Sequence, residues 1–315
     1  MENNWVSYKN GNYIVALDTV HGTKVRYNDL SFFKADRPEN MDIKITNRCT
    51  NPCGTKECPK NCEFCHENSG PNGKHSDALH SKFLETLPEW TECAYGGGNV
   101  LEYPDLVPLL RKSKNLHLIS NITVNQKHFM ENLSFLRELV SQKLIYGLGI
   151  SLTDPYQEGF IAAVKTFPNA VIHVINGVVT LAQLSALGCK GIKILILGYK
   201  EIRRGVAYKA DVDHLVELRK NRLYASLPFI AEHNWFKTIS FDNLAIEQLE
   251  PKRFLSDEFY QNHYMGEDYG KMTSASFYVD LVENIFAPNS CDLNHRYNIE
   301  NRSATECLHF LQNQP

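Results

Sequence analysis

The sequence predicts an α/β protein in which a parallel sheet is covered by helices and preceded by a small β element. Two observations lead to this fold class. From residue 41 onward, short apolar runs alternate six times with amphipathic segments of helical period, which is typical of parallel strands joined by helices. The composition is that of a globular protein, with 43% hydrophobic and 22% charged residues in a chain of 315.

The predicted elements divide the chain into three parts. Residues 1–40 form an N-terminal β-hairpin element, residues 41–245 hold the six β/α units, and residues 246–315 form a C-terminal extension that covers them. The predicted strands are 12–17, 24–27, 41–46, 92–95, 116–122, 145–152, 170–175, 193–197, 237–241 and 276–281. The predicted helices are 76–87, 104–112, 126–142, 155–166, 180–187 and 212–222.

Charge and hydropathy limit the class of function. Lys and Arg number 33 against 36 Asp and Glu, a formal charge of −3, so the chain lacks the positive excess that attracts nucleic-acid backbones. No apolar run approaches the roughly 18 to 20 residues that cross a bilayer, and the first residues do not resemble a signal peptide. We therefore expect a cytoplasmic protein with no membrane partner and no strong nucleic-acid signal.

Five of the nine cysteines lie in one short segment, at Cys49, Cys53, Cys58, Cys62 and Cys65. Thiols this dense in a chain without an export signal indicate a metal site rather than a disulfide framework. The last three have the spacing Cx3Cx2C, in which three thiolates can bind three corners of a cuboidal iron–sulfur cluster and leave the fourth iron open. A four-ligand zinc site in the same segment is the alternative that the loop alone leaves open.

Further polar loops follow the later strands. Gly96–Gly98 and Asn99 follow the second strand of the series, Asn121 and Asn125 the third, and Ser151 the fourth. Because the carboxyl ends of parallel strands meet at one edge of a sheet, all six loops should surround one cavity. Taken singly, each of these polar residues is about equally well explained as a turn or helix-cap residue.

The order of these motifs resembles that of the radical S-adenosylmethionine (SAM) enzymes. The matching residues are KITNRC at 44–49, CPKNCEFC at 58–65 and YGGGN at 95–99, and the resemblance covers residues 41–245. It implies a partial (β/α)6 barrel with two cofactors, a [4Fe–4S] cluster and SAM. It also implies the activity, in which SAM is cleaved reductively to a 5′-deoxyadenosyl radical that abstracts hydrogen from a substrate.

The resemblance also implies the cluster ligands. Cys58, Cys62 and Cys65 would bind the cluster, because their spacing matches the family pattern unaltered. Cys49 is the alternative to Cys58, since the first ligand of the family often follows the strand almost at once. Phe64, between the last two cysteines, would lie against the adenine of SAM.

The remaining predicted contacts are with SAM. Gly96–Gly98 lack β-carbons, so the resemblance implies a close approach of their backbone to the methionine amino group. Asn121, Asn125 and Ser151 are candidates for hydrogen bonds to the ribose. Asn99 departs from the family pattern, which usually has Glu here, so a carboxylate role is not expected at this position.

The partners follow from the same resemblance. We expect an electron donor such as flavodoxin or ferredoxin and a substrate that is a small molecule, a nucleoside or a peptide; catalytic residues beyond the cofactor ligands are unknown. Two alternatives remain, a zinc-stabilised binding protein that uses the loop from Cys49 to Cys65, and a SAM-binding barrel without radical activity.

Two further features have opposing interpretations. His173 lies in an apolar strand, where a core histidine is the more frequent case, and the alternative is an inward-facing histidine that contacts a ligand. Lys200, Arg203 and Arg204 follow the sixth strand, and we interpret them as a solvated loop, with a clamp for an anionic group as the alternative.

Overall fold

The structure, a computed structural model, describes residues 4–30, 32–50, 62–263 and 273–314. The strands are β1 Trp5–Asn10, β2 Tyr13–Asp18, β3 Lys24–Tyr27, β4 Asn40–Thr46, β5 Glu92–Gly97, β6 Ile119–Asn125, β7 Gly147–Ser151, β8 Ala170–Ile175, β9 Lys193–Leu197, β10 Thr238–Phe241, β11 Ser276–Asp280, β12 Ile285–Ala287 and β13 Tyr297–Asn298. The α-helices are α1 Leu106–Asn115, α2 Gln126–Glu131, α3 Leu133–Ser141, α4 Phe160–Lys165, α5 Leu181–Leu187, α6 Arg204–Glu232, α7 Asn243–Leu249, α8 Asp257–His263 and α9 Ala304–Gln312.

The larger sheet has ten strands in the order β10-β9-β8-β7-β6-β5-β4-β11-β12-β13. From β4 to β10, neighbours in the chain are neighbours in the sheet and run parallel. On the other side of β4, β11 adds a further parallel strand, and β12 and β13 continue antiparallel. The predicted α/β fold, with a parallel partial barrel and a C-terminal extension, is confirmed.

Side chains alternate between the two faces of the large sheet. On β4, Met41, Ile43 and Ile45 are buried in the core that the sheet forms with the helices. The intervening residues Asp42, Lys44 and Thr46 point to the opposite, concave side, because successive side chains of a strand face opposite ways. We call this concave side the lumen.

The smaller sheet is antiparallel, in the order β1-β2-β3. The predicted hairpin of residues 12–17 and 24–27 is confirmed as β2 and β3, and β1 is a strand that the sequence analysis missed. Arg26 of β3 forms an ion pair at 2.8 Å with the fully buried carboxylate of Glu39, just before β4. This contact joins the small sheet to the start of the large one.

Two predicted helices were wrong in detail. The segment 76–87 forms two short 3-10 helices over 78–80 and 83–86, because Ser81 between them has an extended backbone. The helix predicted over 126–142 is divided into α2 and α3 at Asn132, whose φ of −124° is not helical. Among the described residues, no helix has both the length and the apolar character to span a membrane.

Candidate functional site

The glycine segment lies against the chain that leaves β4. The Gly98 N–H donates to the Thr46 carbonyl at 2.7 Å, and the Asn99 N–H donates to the Arg48 carbonyl at 2.8 Å. A β-carbon on Gly98 would lie 2.0 Å from the Arg48 oxygen, so only glycine permits this approach. The segment is therefore fixed directly beside the entrance to the cysteine loop.

Gly96 differs from the two glycines that follow it. It pairs with Lys44 in the parallel ladder between β4 and β5, and therefore faces the lumen. A β-carbon built on Gly96 would meet no atom within 4 Å. A ligand group can accordingly approach the backbone of Gly96 from the lumen.

Cys62 and Cys65 stand at the two ends of one tight turn. The Cys65 N–H donates to the Cys62 carbonyl at 3.0 Å, and both residues are half-buried. The Asn125 amide donates to Cys62 Sγ at 3.9 Å. Because Asn125 ends β6, this turn lies at the carboxyl edge of the sheet, as the sequence predicted.

Of the other two candidate ligands, the structure describes Cys49. Cys49 is half-buried, and its N–H donates to the Gly70 carbonyl at 2.9 Å. Cys58 lies outside the described residues, as does Cys53. Within the described part of the chain, no three His, Cys, Asp or Glu side chains form a group that could hold a metal ion. The donor chemistry nevertheless fits a cluster, since Cys62 and Cys65 supply two soft ligands on one turn.

Phe64 lies inside the cysteine turn and forms one wall of an open cleft. Its ring packs edge-on against Tyr208 of α6, with 5.6 Å between the ring centroids. The cleft is shallow and partly open to solvent, and it is lined by Phe64, His66, Ile175, Leu197, Gly198, Tyr199 and Lys200. Mainly apolar and aromatic walls suit a planar heterocycle, which is the type of group expected beside Phe64.

Asn99 caps a short 3-10 helix over 100–102 and has no carboxylate to offer. Its Oδ1 accepts from the Leu101 N–H at 3.2 Å, and its Nδ2 donates to Glu102 at 2.9 Å. Glu102 also accepts from the Thr50 N–H at 2.9 Å. Glu102 thus fixes the start of the cysteine loop, a role that the sequence analysis missed although an Asn followed three residues later by Glu is a capping pattern.

The three candidate ribose ligands occupy two levels of the lumen. Asn121 lies within β6, which extends three residues beyond the predicted strand, and its Oδ1 accepts from the Gly147 N–H at 2.7 Å. Asn125 caps α2 by accepting from the Lys127 N–H at 2.9 Å. Ser151 ends β7 directly beside Asn125. The structure therefore brings Asn125 and Ser151 together at the carboxyl edge, whereas Asn121 lies deeper and joins two strands.

A buried ion network lies beneath the cysteine turn. Lys44 of β4 forms ion pairs with Glu67 at 3.2 Å and with Asp280 of β11 at 3.0 Å. Arg203 approaches the same Glu67 carboxylate at 3.4 Å and donates to the His66 carbonyl at 2.9 Å. The network joins the cysteine loop to β4, β11 and the start of α6, and no sequence pattern indicated it.

The basic cluster after β9 was interpreted wrongly as a solvated loop. Besides the contacts of Arg203, Arg204 donates to the Ser69 carbonyl at 2.7 Å, and Lys200 donates to Ser290 Oγ at 3.1 Å. Two of the three cations thus bind carbonyl groups of the segment that follows the cysteines. They hold this segment over the mouth of the lumen.

His173 faces the lumen and does not belong to the helix-side core. On β8 it alternates with the buried residues Ile172 and Val174, and it pairs with Ser151. Its ring lies over Gly149, where a β-carbon would be 2.4 Å from the imidazole Cε1. Among the described residues, no group forms a hydrogen bond with this imidazole, and burial lowers its pKa to about 4.

The pKa of His173 predicts a pH-dependent stability. The unfolded chain has a histidine pKa of 6.5, so it binds the proton more tightly than the folded state. Stability is therefore lost as the pH falls from 6.5 to 4, by about 2 to 3 kcal/mol from this residue. Urea unfolding gives the difference in unfolding free energy between the unchanged protein and His173→Gln. Between pH 6.5 and pH 4 this difference should change by that amount. A His80→Gln control, at an exposed site, should show a much smaller shift, and a pH-independent difference for His173→Gln would contradict the assignment.

Comparison with known proteins shows that this chain shares its fold with solved structures. No family model matches the chain, and no curated protein does. The solved structures that resemble it include three of SuiB from Streptococcus suis, a radical SAM enzyme. The fold resemblance is confirmed. The complex of SuiB with S-adenosylmethionine has a TM-score of 0.57 at 11% identity, with 97% of this chain and 87% of that chain covered.

The other two SuiB structures give the same result. SuiB alone has a TM-score of 0.56 at 12% identity, with 100% of this chain and 88% of that chain covered. SuiB bound to the precursor peptide SuiA has a TM-score of 0.55 at 15% identity, with 89% of this chain covered. This chain spans 66% of the length of that SuiB chain. At such identities the likeness concerns the fold.

Proposed function

We propose that the protein is a radical SAM enzyme, with Cys58, Cys62 and Cys65 as ligands of a [4Fe–4S] cluster that cleaves SAM reductively to a 5′-deoxyadenosyl radical. The observation that carries the proposal is the convergence of three features at one edge of the sheet. These are the turn that holds Cys62 and Cys65, the glycine segment beside the exit of β4, and the cleft lined by Phe64. These three features occur in a chain whose fold resembles that of SuiB, and this resemblance supports the proposal.

Each part of the chain would then have a distinct task. Cys62 and Cys65 would hold two irons, and the backbone of Gly96 would leave room for the amino acid part of SAM. Phe64 and Ile175 would contact its adenine, while Asn125 and Ser151 would face its ribose. The ion pair between Lys44 and Glu67 would hold residues 62–70 beside β4 and limit the access of water.

The substrate and electron donor are proposed more broadly. SuiB binds a precursor peptide, and this supports a peptide as the substrate class. A donor such as flavodoxin or ferredoxin would supply the electron. Thiols that must stay reduced to bind the cluster favour a cytoplasmic location.

Anaerobic reconstitution with iron and sulfide tests the proposal. We expect about four irons and four sulfides per chain, and formation of 5′-deoxyadenosine from SAM once the protein is reduced with dithionite. Zinc at about one per chain without iron would instead indicate a structural metal site. Iron together with SAM binding, but without 5′-deoxyadenosine, would indicate a barrel that holds SAM and does not cleave it.

A further inference from the structure

Asp42 is a carboxylate in the interior of the barrel. It lies on β4 between Met41 and Ile43, which are buried on the helix side, so its own side chain points into the lumen. It pairs with Ala94 on β5 and Tyr278 on β11. Ala94 leaves space beside it, and Asp42 is accordingly exposed to the lumen.

Three other carboxylates near the lumen, in the part of the chain that the structure describes, have partners. Glu67 and Asp280 are held by Lys44. Asp242 accepts hydrogen bonds from the N–H groups of Gly198 at 2.8 Å and Ala245 at 2.7 Å. Asp42 differs, because none of the described residues forms a hydrogen bond or an ion pair with its carboxylate.

The charged groups around Asp42 determine whether a positively or a negatively charged ligand would bind beside it. The pKa of Asp42 is raised, chiefly because burial disfavours the charged form of the carboxyl group. The positive charge of Lys200 lowers the pKa, and the negative charges of Glu67 and Asp242 raise it. Lys200 is the one cation among these three charged neighbours, and its ammonium donates to Ser290. Two negative groups and one engaged cation leave the lumen around Asp42 favourable to an additional positive charge.

We propose that Asp42 is a specificity-determining residue that binds a positively charged nitrogen of the substrate, an amine or a guanidinium. Because the Asp42 side chain is exposed to the lumen, a cationic group that enters the lumen can reach its carboxylate and form an ion pair with it. The proposal deepens the proposed function, since it rests on the lumen being the substrate chamber. Within a peptide substrate it selects a segment that carries a basic side chain.

Binding of agmatine, which carries a guanidinium and an amine, tests the proposal without requiring turnover. Titration calorimetry at pH 7.5 on the full chain, purified without air, should show agmatine binding and at least tenfold weaker binding of glutarate, an anion of similar length. Asp42→Asn, which preserves the shape of the side chain, should weaken agmatine binding at least tenfold. Asp77→Asn, at an exposed carboxylate outside the lumen, is the matched control and should bind agmatine like the unchanged protein.

A pH series provides a second measurement. Agmatine should bind the unchanged protein more tightly as the pH rises and Asp42 loses its proton, whereas Asp42→Asn should lack this part of the dependence. Undetectable agmatine binding, or equal binding by the unchanged protein and Asp42→Asn, would overturn the proposal. The failure of radical SAM chemistry would be seen separately, as a lack of 5′-deoxyadenosine in the reconstituted protein.

Discussion

Replacement of Cys62 or Cys65 by serine should abolish cluster binding and lower 5′-deoxyadenosine formation at least 100-fold. A serine hydroxyl stays protonated near neutral pH and is a hard ligand, so it does not replace a soft thiolate on iron. Both residues belong to one turn, with the Cys65 N–H donating to the Cys62 carbonyl at 3.0 Å. The measurements are iron and sulfide content, the visible absorption of the cluster, and 5′-deoxyadenosine after reduction.

Matched cysteine variants make this prediction specific. Cys189→Ser changes an exposed cysteine that follows α5, and it should retain iron and activity. Cys58→Ser should behave like Cys62→Ser, and Cys49→Ser like Cys189→Ser, if the Cx3Cx2C spacing identifies the ligands. The reverse result would assign the third ligand to Cys49. Normal iron content and SAM cleavage in Cys62→Ser would contradict the cluster assignment altogether.

The order of the strands in the sheet was predictable for two reasons. The strands are apolar on the face that meets the helices, and they are shorter than the helices, so the two kinds of segment could be distinguished. Each of the six predicted strands from residues 41 to 197 overlaps a strand of the structure, β4 to β9. The convergence of their loops then follows from parallel topology alone. This is why the glycine segment could be placed beside the cysteine loop although about thirty residues separate them.

The residues that line the lumen were harder to predict, because hydropathy does not distinguish the two faces of the sheet. His173 is surrounded in sequence by apolar residues, and two of them, Val171 and Ile175, face the same side as the histidine. A strand with apolar residues on both faces gives no alternation from which to place a single polar residue. Asp42 and Lys44 of β4 do alternate with apolar residues, but nothing local indicates that Lys44 finds partners in Glu67 and Asp280.

Contacts between distant segments explain the remaining errors. Arg204 donates to the Ser69 carbonyl, a partner 135 positions away in the chain, and no sequence pattern encodes such a contact. Asn121 was grouped with the loop after the third predicted strand although that strand, 116–122, contains it; in the structure the strand continues to Asn125, and strand ends are weakly determined by local pattern. The hydrogen bond of Asn121 to the Gly147 N–H shows that a polar residue in a strand can serve the neighbouring strand.

Alanine at Gly98 should destabilise the fold, whereas alanine at Gly96 should leave the fold intact and weaken SAM binding. A β-carbon on Gly98 would lie 2.0 Å from the Arg48 carbonyl oxygen, so the two segments must separate and weaken the hydrogen bonds of Gly98 to Thr46 and of Asn99 to Arg48. We expect a loss of about 2 to 4 kcal/mol in unfolding free energy, measured by urea denaturation. Iron content should also fall, since residues 46–48 lead directly into the cysteine loop.

Gly96→Ala is the matched control for the fold and a separate test of the site. Its β-carbon would meet no atom within 4 Å, so the unfolding free energy should change by less than about 0.5 kcal/mol and iron should be retained. The added methyl group would project from β5 into the lumen, where the proposed function places the amino acid part of SAM. SAM affinity, measured by equilibrium dialysis on the reconstituted protein, should therefore fall at least tenfold. Unchanged SAM affinity in Gly96→Ala would exclude a close approach of SAM to this glycine, even if Gly98→Ala unfolds as expected.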